Sequence, residues 1–246
     1  MTFTMTRRST APLVAASFTA LATAAFIAAA QWPPHGLGVW DVLVGTARTA
    51  TVLLLAAWTA CRLWDVPLRI EKIPNGGRAL IAVVWLASAS LSLDAITTLL
   101  GWNAPAMDHV IALLRTAPLP AFFVASAAIA LLPAFSEEAL FRGAIARYVE
   151  RESGIVASFI TTSVLFGAIH LSLKQGVQAA LLGLLLQVIA RREGLSVAIL
   201  AHAANNLGFA CLARAAVNPA PSQTLTVGGL LFAGATFAFV VERRAP

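Results

Sequence analysis

The sequence predicts an all-α membrane protein, a polytopic bundle of about eight transmembrane helices with both termini cytoplasmic. Three observations predict it. Hydrophobic residues make up 59% of the 246-residue chain and charged residues only 11%, a balance far from that of ordinary soluble domains. The apolar residues fall in blocks near the roughly 20 residues that carry a helix across about 30 Å of hydrocarbon. The alternating ten-residue pattern of a membrane barrel is missing, and a backbone in lipid must satisfy its own hydrogen bonds, so each block reads as a helix.

The blocks lie near residues 11–30, 41–63, 79–100, 119–141, 154–171, 175–190, 195–215 and 224–241. The first follows Arg7 and Arg8 and ends at Ala28-Ala29-Ala30, which resembles a signal peptide with a small-residue cleavage site. Its run of about 20 residues exceeds the usual apolar region of about 7–15, so an uncleaved first span is predicted. The second span encloses Arg48 and the third Asp94, and these two are candidates to pair. The sixth is short, with Gly176 and Gln178 near its start. Segments 31–40, 64–78 and 216–223 carry the Pro, Gly and Asn of surface connections and are too short to be soluble domains. Residues 1–246 therefore form a single integral membrane domain. The chain shows no internal repeat, which weighs against a transporter.

Basic residues set the orientation. One set of connections holds Arg7, Arg8, Arg62, Arg69, Lys72, Arg78, Arg142, Arg147, Arg151, Arg191, Arg192, Arg243 and Arg244, whereas the alternate set holds Arg115, Lys174 and Arg214. This bias puts the first set and both termini in the cytoplasm and supports an even number of crossings, in the cell (inner) membrane. The net charge of +6 is spread over short segments rather than gathered on one face, so it reflects topology and contact with anionic headgroups, not nucleic-acid binding. Cys61 and Cys211 form no CxxC pair or framework, which argues against redox or cluster chemistry.

Against this apolar background stand Glu137, Glu138 and Arg142, then His170, then His202 and Asn206. An ionisable group in such a stretch is expensive unless it faces a partner or a water-filled cavity, so these residues are the candidate functional site. If the fourth helix continues past Pro133, Glu138 and Arg142 stand at i,i+4 with the acid N-terminal, the favourable order for an ion pair. Glu137 points about 100° away from that pair. This predicts a clamp of Glu138 and Arg142 with Glu137 facing a cavity as a base, beside a kink at Pro133.

The chain turns near Glu152-Ser153-Gly154, and residues 137 and 170 stand at equal distances from that turn, so an antiparallel hairpin puts Glu137 level with His170. His202 begins its climb after Arg191-Arg192-Glu193-Gly194, about eight residues or roughly 12 Å deep, with Asn206 one turn further on the same face. Taken singly, each motif has a structural explanation. The acid-acid-Arg run is an ordinary salt-bridged helix end, His170 an interhelical hydrogen bond, and His202 with Asn206 polar glue between membrane helices.

Taken in order, Glu137-Glu138…Arg142, Phe166…His170 and His202…Asn206 resemble the signature of the CAAX-processing and bacteriocin-processing intramembrane endopeptidases, the CPBP or Abi family, over a motif-bearing core of residues 119–215. The resemblance implies hydrolysis of a peptide bond in a membrane cavity open to the cytoplasm. It implies Glu137 as the general base for a water molecule, His170 helping to hold that water or a metal, and His202 with Asn206 stabilising the oxyanion. Glu138 and Arg142 are then positioning residues. A carboxylate stripped of water is a stronger base, and donors aimed at a developing oxyanion supply the other large term.

The family's usual classification implies a divalent metal, zinc, for which Glu137, His170 and His202 would be the ligands. The HExxH helix of most metalloproteases is absent, and a metal-free glutamate mechanism uses the same four residues. The implied partners are the lipid bilayer and a peptide or protein substrate that is prenylated or otherwise membrane-anchored. The competing classes are a proton-coupled transporter, since buried Glu and His also form proton relays, and a non-enzymatic scaffold or bacteriocin-immunity protein.

Overall fold

Every regular element in the computed structural model, which describes residues 38–73, 75–217 and 219–241, is helical. Helix α1 (Val39–Leu63) opens where the Gly38 N–H donates to Asp41 Oδ2 at 2.8 Å, a side-chain answer to the orphan donors of a helix start. Asn75 does the same for α2 (Gly76–Leu99), accepting from the Arg78 N–H at 3.1 Å. Proline at the first turn starts the short α3 (Pro105–Thr116). Helix α4 (Leu119–Glu138) runs straight into a π-helical segment, Ala139–Ile145, and on into α5 (Ala146–Ser153).

Gly154, at φ +90°, reverses the chain into α6 (Ile155–Ala168). Gly194, at φ +97°, does the same between α7 (Leu173–Glu193) and α8 (Leu195–Arg214). Both turns need a backbone conformation that a Cβ disfavours, and both fall where the sequence predicts them. Helix α9 (Pro221–Val241) follows.

Six helices among the described residues are long and apolar enough to cross a membrane: α1, α2, the α4–α5 rod, α7, α8 and α9. The predicted first span, with its signal-peptide alternative, lies outside the described residues. The predicted fifth is shorter than expected: α6 has 14 residues, about 21 Å at 1.5 Å per residue, because the chain turns at His170. Helix α3 is an addition. Its Asp108, His109 and Arg115 break the apolar pattern that marks a span, and it packs beside α8 instead.

Helix α4 lies between α1 and α8, and α8 also contacts α2, α3 and α7. Helices α6 and α7 pack as a hairpin, and α9 lies along α2, where the Trp85 indole N–H donates to Thr236 Oγ1 at 2.8 Å. The main core gathers Leu53, Leu86, Leu140, Phe141, Ile145, Leu186, Ile189 and Val197. A smaller cluster of Leu114, Phe122, Ala210 and Ala213 seats α3, and Arg214 Nη1 caps the α3 C-terminus by donating to the Leu114 and Arg115 carbonyls, each at 3.1 Å. Leu55, Leu80, Phe123, Leu131, Ile160, Leu230 and Phe237 are exposed. An exterior of Leu, Ile and Phe on helices of this length is that of an integral membrane protein.

One end of the bundle is basic. Arg78 of α2 pairs with Glu193 of α7, and Arg191 with Glu150 of α5. Residues 64–73 are strapped across this end: Arg151 Nη2 donates to the Trp64 carbonyl at 2.7 Å, Arg147 Nη1 to the Pro67 carbonyl at 3.0 Å, and Trp64 stacks on Tyr148 at 4.4 Å. Glu71 accepts the Leu195 N–H at 3.1 Å and so caps α8. At the other end the predicted partnership of Arg48 with Asp94 is replaced. Asp94 pairs with Lys174 Nζ at 2.9 Å, because the start of α7, rather than α1, lies against this part of α2.

Candidate active site

The site forms where α4 passes into the π segment. Pro133 sits inside α4 without ending it, but a proline carries no N–H, so the carbonyl four residues back, Ile129, loses its helical donor. Asn206 Nδ2 of α8 reaches that carbonyl at 3.5 Å. Four residues beyond Pro133 stand Glu137 and Glu138, and directly after them the helix widens to i→i+5 bonding, with the Ala146 N–H donating to the Phe141 carbonyl. All seven residues of the widened segment are buried. Single-turn π segments are rare and recur at functional sites.

The adjacent carboxylates have different surroundings. Glu138 is 0% exposed and Arg142 is 3% exposed. Glu138 Oε1 accepts from Arg142 Nη1 at 2.9 Å and from His202 Nδ1 at 2.9 Å. Arg142 Nη2 donates to the Gly183 carbonyl of α7 at 2.9 Å, and the guanidinium lies 4.4 Å from the Phe166 ring centroid, within the range of a cation–π contact. One buried ion pair thus ties α4, α6, α7 and α8 together. Glu137 is 8% exposed and faces His202, with Oε2 at 3.8 Å from Nε2, too long for a hydrogen bond.

The hydrogen bonds fix how the imidazoles carry their protons. His170 Nδ1 lies 2.8 Å from the Phe166 carbonyl, and a carbonyl can only accept, so Nδ1 holds the hydrogen and caps the C-terminal end of α6. His202 Nδ1 faces a carboxylate already paired with Arg142, so it too donates. In the neutral form of each ring, Nε2 is then the bare lone pair. The facing pair Glu137 Oε2 and His202 Nε2 is a pair of acceptors, and a water molecule, with two hydrogens to give, is the small group that satisfies both.

The register predicted for the hairpin is visible in its aromatic contacts. Phe141 meets Phe166 edge-on at 5.2 Å, and this pair is symmetric about the same turn as Glu137 and His170. The Phe166 ring also touches both imidazoles, at 5.2 Å to His170 and 6.0 Å to His202. Leu171, at φ +53°, turns the chain away immediately after His170. Of the predicted site residues, Glu137, Glu138, Arg142 and His202 form one contiguous cluster. His170 joins through Phe166, and Asn206 sits one turn along α8 with its amide engaged by Ile129.

The implied zinc set does not assemble. Among the described residues no three His, Cys, Asp or Glu side chains are arranged to hold a metal ion. Glu137 and His202 face each other, but His170, half-buried at the end of α6, is anchored to its own helix and does not complete a three-donor group. With Nδ1–H given to Glu138, neutral His202 has no hydrogen on Nε2, so the oxyanion role expected of it requires the imidazolium form. Two contributors carried no signal in the sequence, Gly183, whose carbonyl receives Arg142, and Ile129, whose carbonyl is freed by Pro133.

Fold and site together define an all-helical integral membrane protein with a desolvated carboxylate–imidazole centre. Residues 119–208 match the family described as Rce1-like, the type II CAAX prenyl endopeptidases. The matched stretch includes Glu137, Glu138, Arg142, His170, His202 and Asn206. Comparisons with curated proteins and with solved structures return no match.

Proposed function

We propose that this protein is an intramembrane endopeptidase that hydrolyses a peptide bond of a membrane-anchored protein or peptide with a water molecule activated by Glu137. The facing of Glu137 Oε2 and His202 Nε2 at 3.8 Å carries the reading. A water held between these acceptors loses a proton to the Glu137 carboxylate as its oxygen attacks the scissile carbonyl carbon. His202 Nε2 receives that proton from Glu137 and, as imidazolium, donates it to the departing amine, so carboxylate and imidazole both return to their starting states. Glu138, ionised beside Nδ1–H, stabilises that imidazolium and holds its tautomer, the part a carboxylate plays behind a catalytic histidine in the serine proteases. Arg142 holds Glu138 in place. The Asn206 amide, one turn further along α8, serves the oxyanion.

No step in this scheme needs a metal. The basic end of the bundle faces the cytoplasm in this reading, by the excess of Lys and Arg there. Glu137 lies 18 residues into α4, roughly 27 Å along it by the helix rise, so the site is reached from the basic, cytoplasmic side. The substrate class is a prenylated or otherwise membrane-anchored peptide, as the family description suggests.

The test is a survey of new peptide termini in membranes of cells expressing wild type or Glu137→Gln at equal levels. Termini present only with wild type are expected, and they identify the substrate. Identical terminus profiles from two intact membrane-inserted proteins would overturn the reading in favour of transport or scaffolding.

A further inference from the structure

A cavity of about 260 Å³ opens at the basic end, between α5, α7 and the start of α8. Its walls include Arg142, Arg147, Arg191, Glu150, Gln187 and Ala190, and include none of Glu137, His170, His202 or Asn206. Three guanidinium groups and one carboxylate line it; Arg142 and Arg147 pair with Glu138 and Glu71 outside the lining and Arg191 with Glu150, so an anion competes for cations already in ion pairs. Its floor is polar and unspent. Arg142 gives Nη1 to Glu138 and Nη2 to Gly183, but its buried Nε–H has no protein partner, nor does the buried Oε1 of Gln187. Arg142 and Gln187 are 3% and 2% exposed; the Arg142 Nε–H is a donor left for an anion, whereas Gln187 Oε1 is an acceptor that only the hydrogen of a protonated phosphate oxygen would satisfy. At the mouth the Arg191–Glu150 pair is about one-third exposed, at 36% and 35%, where solvent weakens such a pair and an incoming anion can compete for the guanidinium.

We infer that this cavity is a binding site for a phosphate group, distinct from the catalytic centre. The volume is below the roughly 300–1,000 Å³ of sites for drug-sized ligands and suits a small anion. Phosphate is favoured over a carboxylate because its oxygens can meet several guanidinium forks at once. Two sources share this chemistry: the headgroup of an anionic lipid such as phosphatidic acid, at the membrane surface where the basic end lies, and soluble inorganic phosphate. Whichever binds touches Arg142 on the side away from Glu138, and so reaches the clamp without entering the active site. The site does not rest on the protease reading, because none of its evidence involves Glu137 or His202.

The full chain is reconstituted in nanodiscs of phosphatidylcholine with or without phosphatidic acid, and separately titrated with inorganic phosphate in detergent, with thermal midpoint and bound lipid by native mass spectrometry as readouts. Wild type is expected to retain one phosphatidic acid and to gain a saturable rise in midpoint. Ala190→Leu, which fills the cavity while keeping every charge, is expected to lose at least tenfold in affinity, as is the double variant Arg147→Gln with Arg191→Gln. A response to phosphatidic acid alone assigns a lipid headgroup, and a response to inorganic phosphate that Ala190→Leu abolishes assigns the soluble anion. No response to either, or equal responses from wild type and Ala190→Leu, would overturn the inference. Glu137→Gln should bind as wild type does, which separates this test from the catalytic one.

Discussion

Removing one half of the buried pair between Glu138 and Arg142 gives the sharpest test of what holds this site together. Glu138 is fully buried and shares Oε1 between Arg142 and His202 at 2.9 Å each. Glu138→Ala leaves the guanidinium charged, buried and without its counter-ion, which costs about 3–5 kcal/mol. At roughly 2–4 °C per kcal/mol for a chain of this size, the thermal midpoint should fall by about 6–20 °C. Replacing both partners, Glu138→Met with Arg142→Met, removes the stranded charge. Its costs are then the hydrogen bonds to the Gly183 carbonyl and from His202 Nδ1, about 1 kcal/mol each, so the double variant should recover about half of the lost midpoint.

Activity should not recover with it. His202 has lost the acceptor for Nδ1 in either variant, and by comparison with the matching change in serine proteases the turnover should fall on the order of 10²- to 10⁴-fold. The assay is differential scanning fluorimetry in detergent beside cleavage of a substrate identified from the terminus survey. If Glu138→Ala melts with wild type, or if the double variant falls as far as the single, the pair is not the unit that ties the four helices and the reasoning fails.

Further outcomes follow from the same geometry. Pro133→Ala restores an N–H for the Ile129 carbonyl, so Asn206→Ala should destabilise the wild-type background by about 0.5–1.5 kcal/mol and the Pro133→Ala background hardly at all; additive costs in that cycle would refute the link between the two residues. Gly167→Ala drives a methyl into the backbone carbonyl of Gly176 and should destabilise by about 1–3 kcal/mol, whereas Gly208→Ala meets nothing within 4 Å and should be neutral or slightly stabilising. Glu137→Gln removes a buried charge that has no close partner, so its midpoint should equal or exceed that of wild type while cleavage disappears; a large drop in midpoint would make Glu137 structural. Exhaustive chelation should leave cleavage intact, and activity lost to a chelator and restored by zinc would show that His170 moves to complete a metal site.

Much of the fold and most of the site were legible because both depend on local spacing. The i,i+4 spacing of Glu138 and Arg142 and the glycine turns at 154 and 194 follow from the residues alone. So does the level pairing of the α4–α6 hairpin, which Phe141 and Phe166 display. What escaped the reading depends on a neighbour or on a backbone change without a residue signature. The π segment is written in Ala, Leu, Phe and Ile that serve an α-helix equally well. Helix α3 has too many polar residues to read as a span and owes its place to Arg214 and Phe122. Nothing in the sequence shows that Glu138 sits at His202 Nδ1, or that Asn206 faces a carbonyl freed by Pro133 on another helix.

The adjacent acids show how one short stretch can serve both fold and chemistry. Successive residues of a helix point about 100° apart, so Glu137 and Glu138 cannot share partners. Glu138 turns inward to Arg142 and His202 and has its charge compensated. Glu137 is left facing a ring nitrogen that in the neutral imidazole carries no hydrogen, at a distance no direct bond spans. The widened turn that begins at Ala139 seats Arg142 within reach of Glu138, Gly183 and Phe166 together, so Glu138 Oε1 is committed to Arg142 and His202, while its buried Oε2 has no hydrogen-bond partner. The cost of burying ionisable groups is thereby concentrated on one carboxylate with a lone pair free and water as its natural partner. Two carboxylates with environments this different are the arrangement from which separate acid–base roles arise, and here the separation is produced by a single step along the chain.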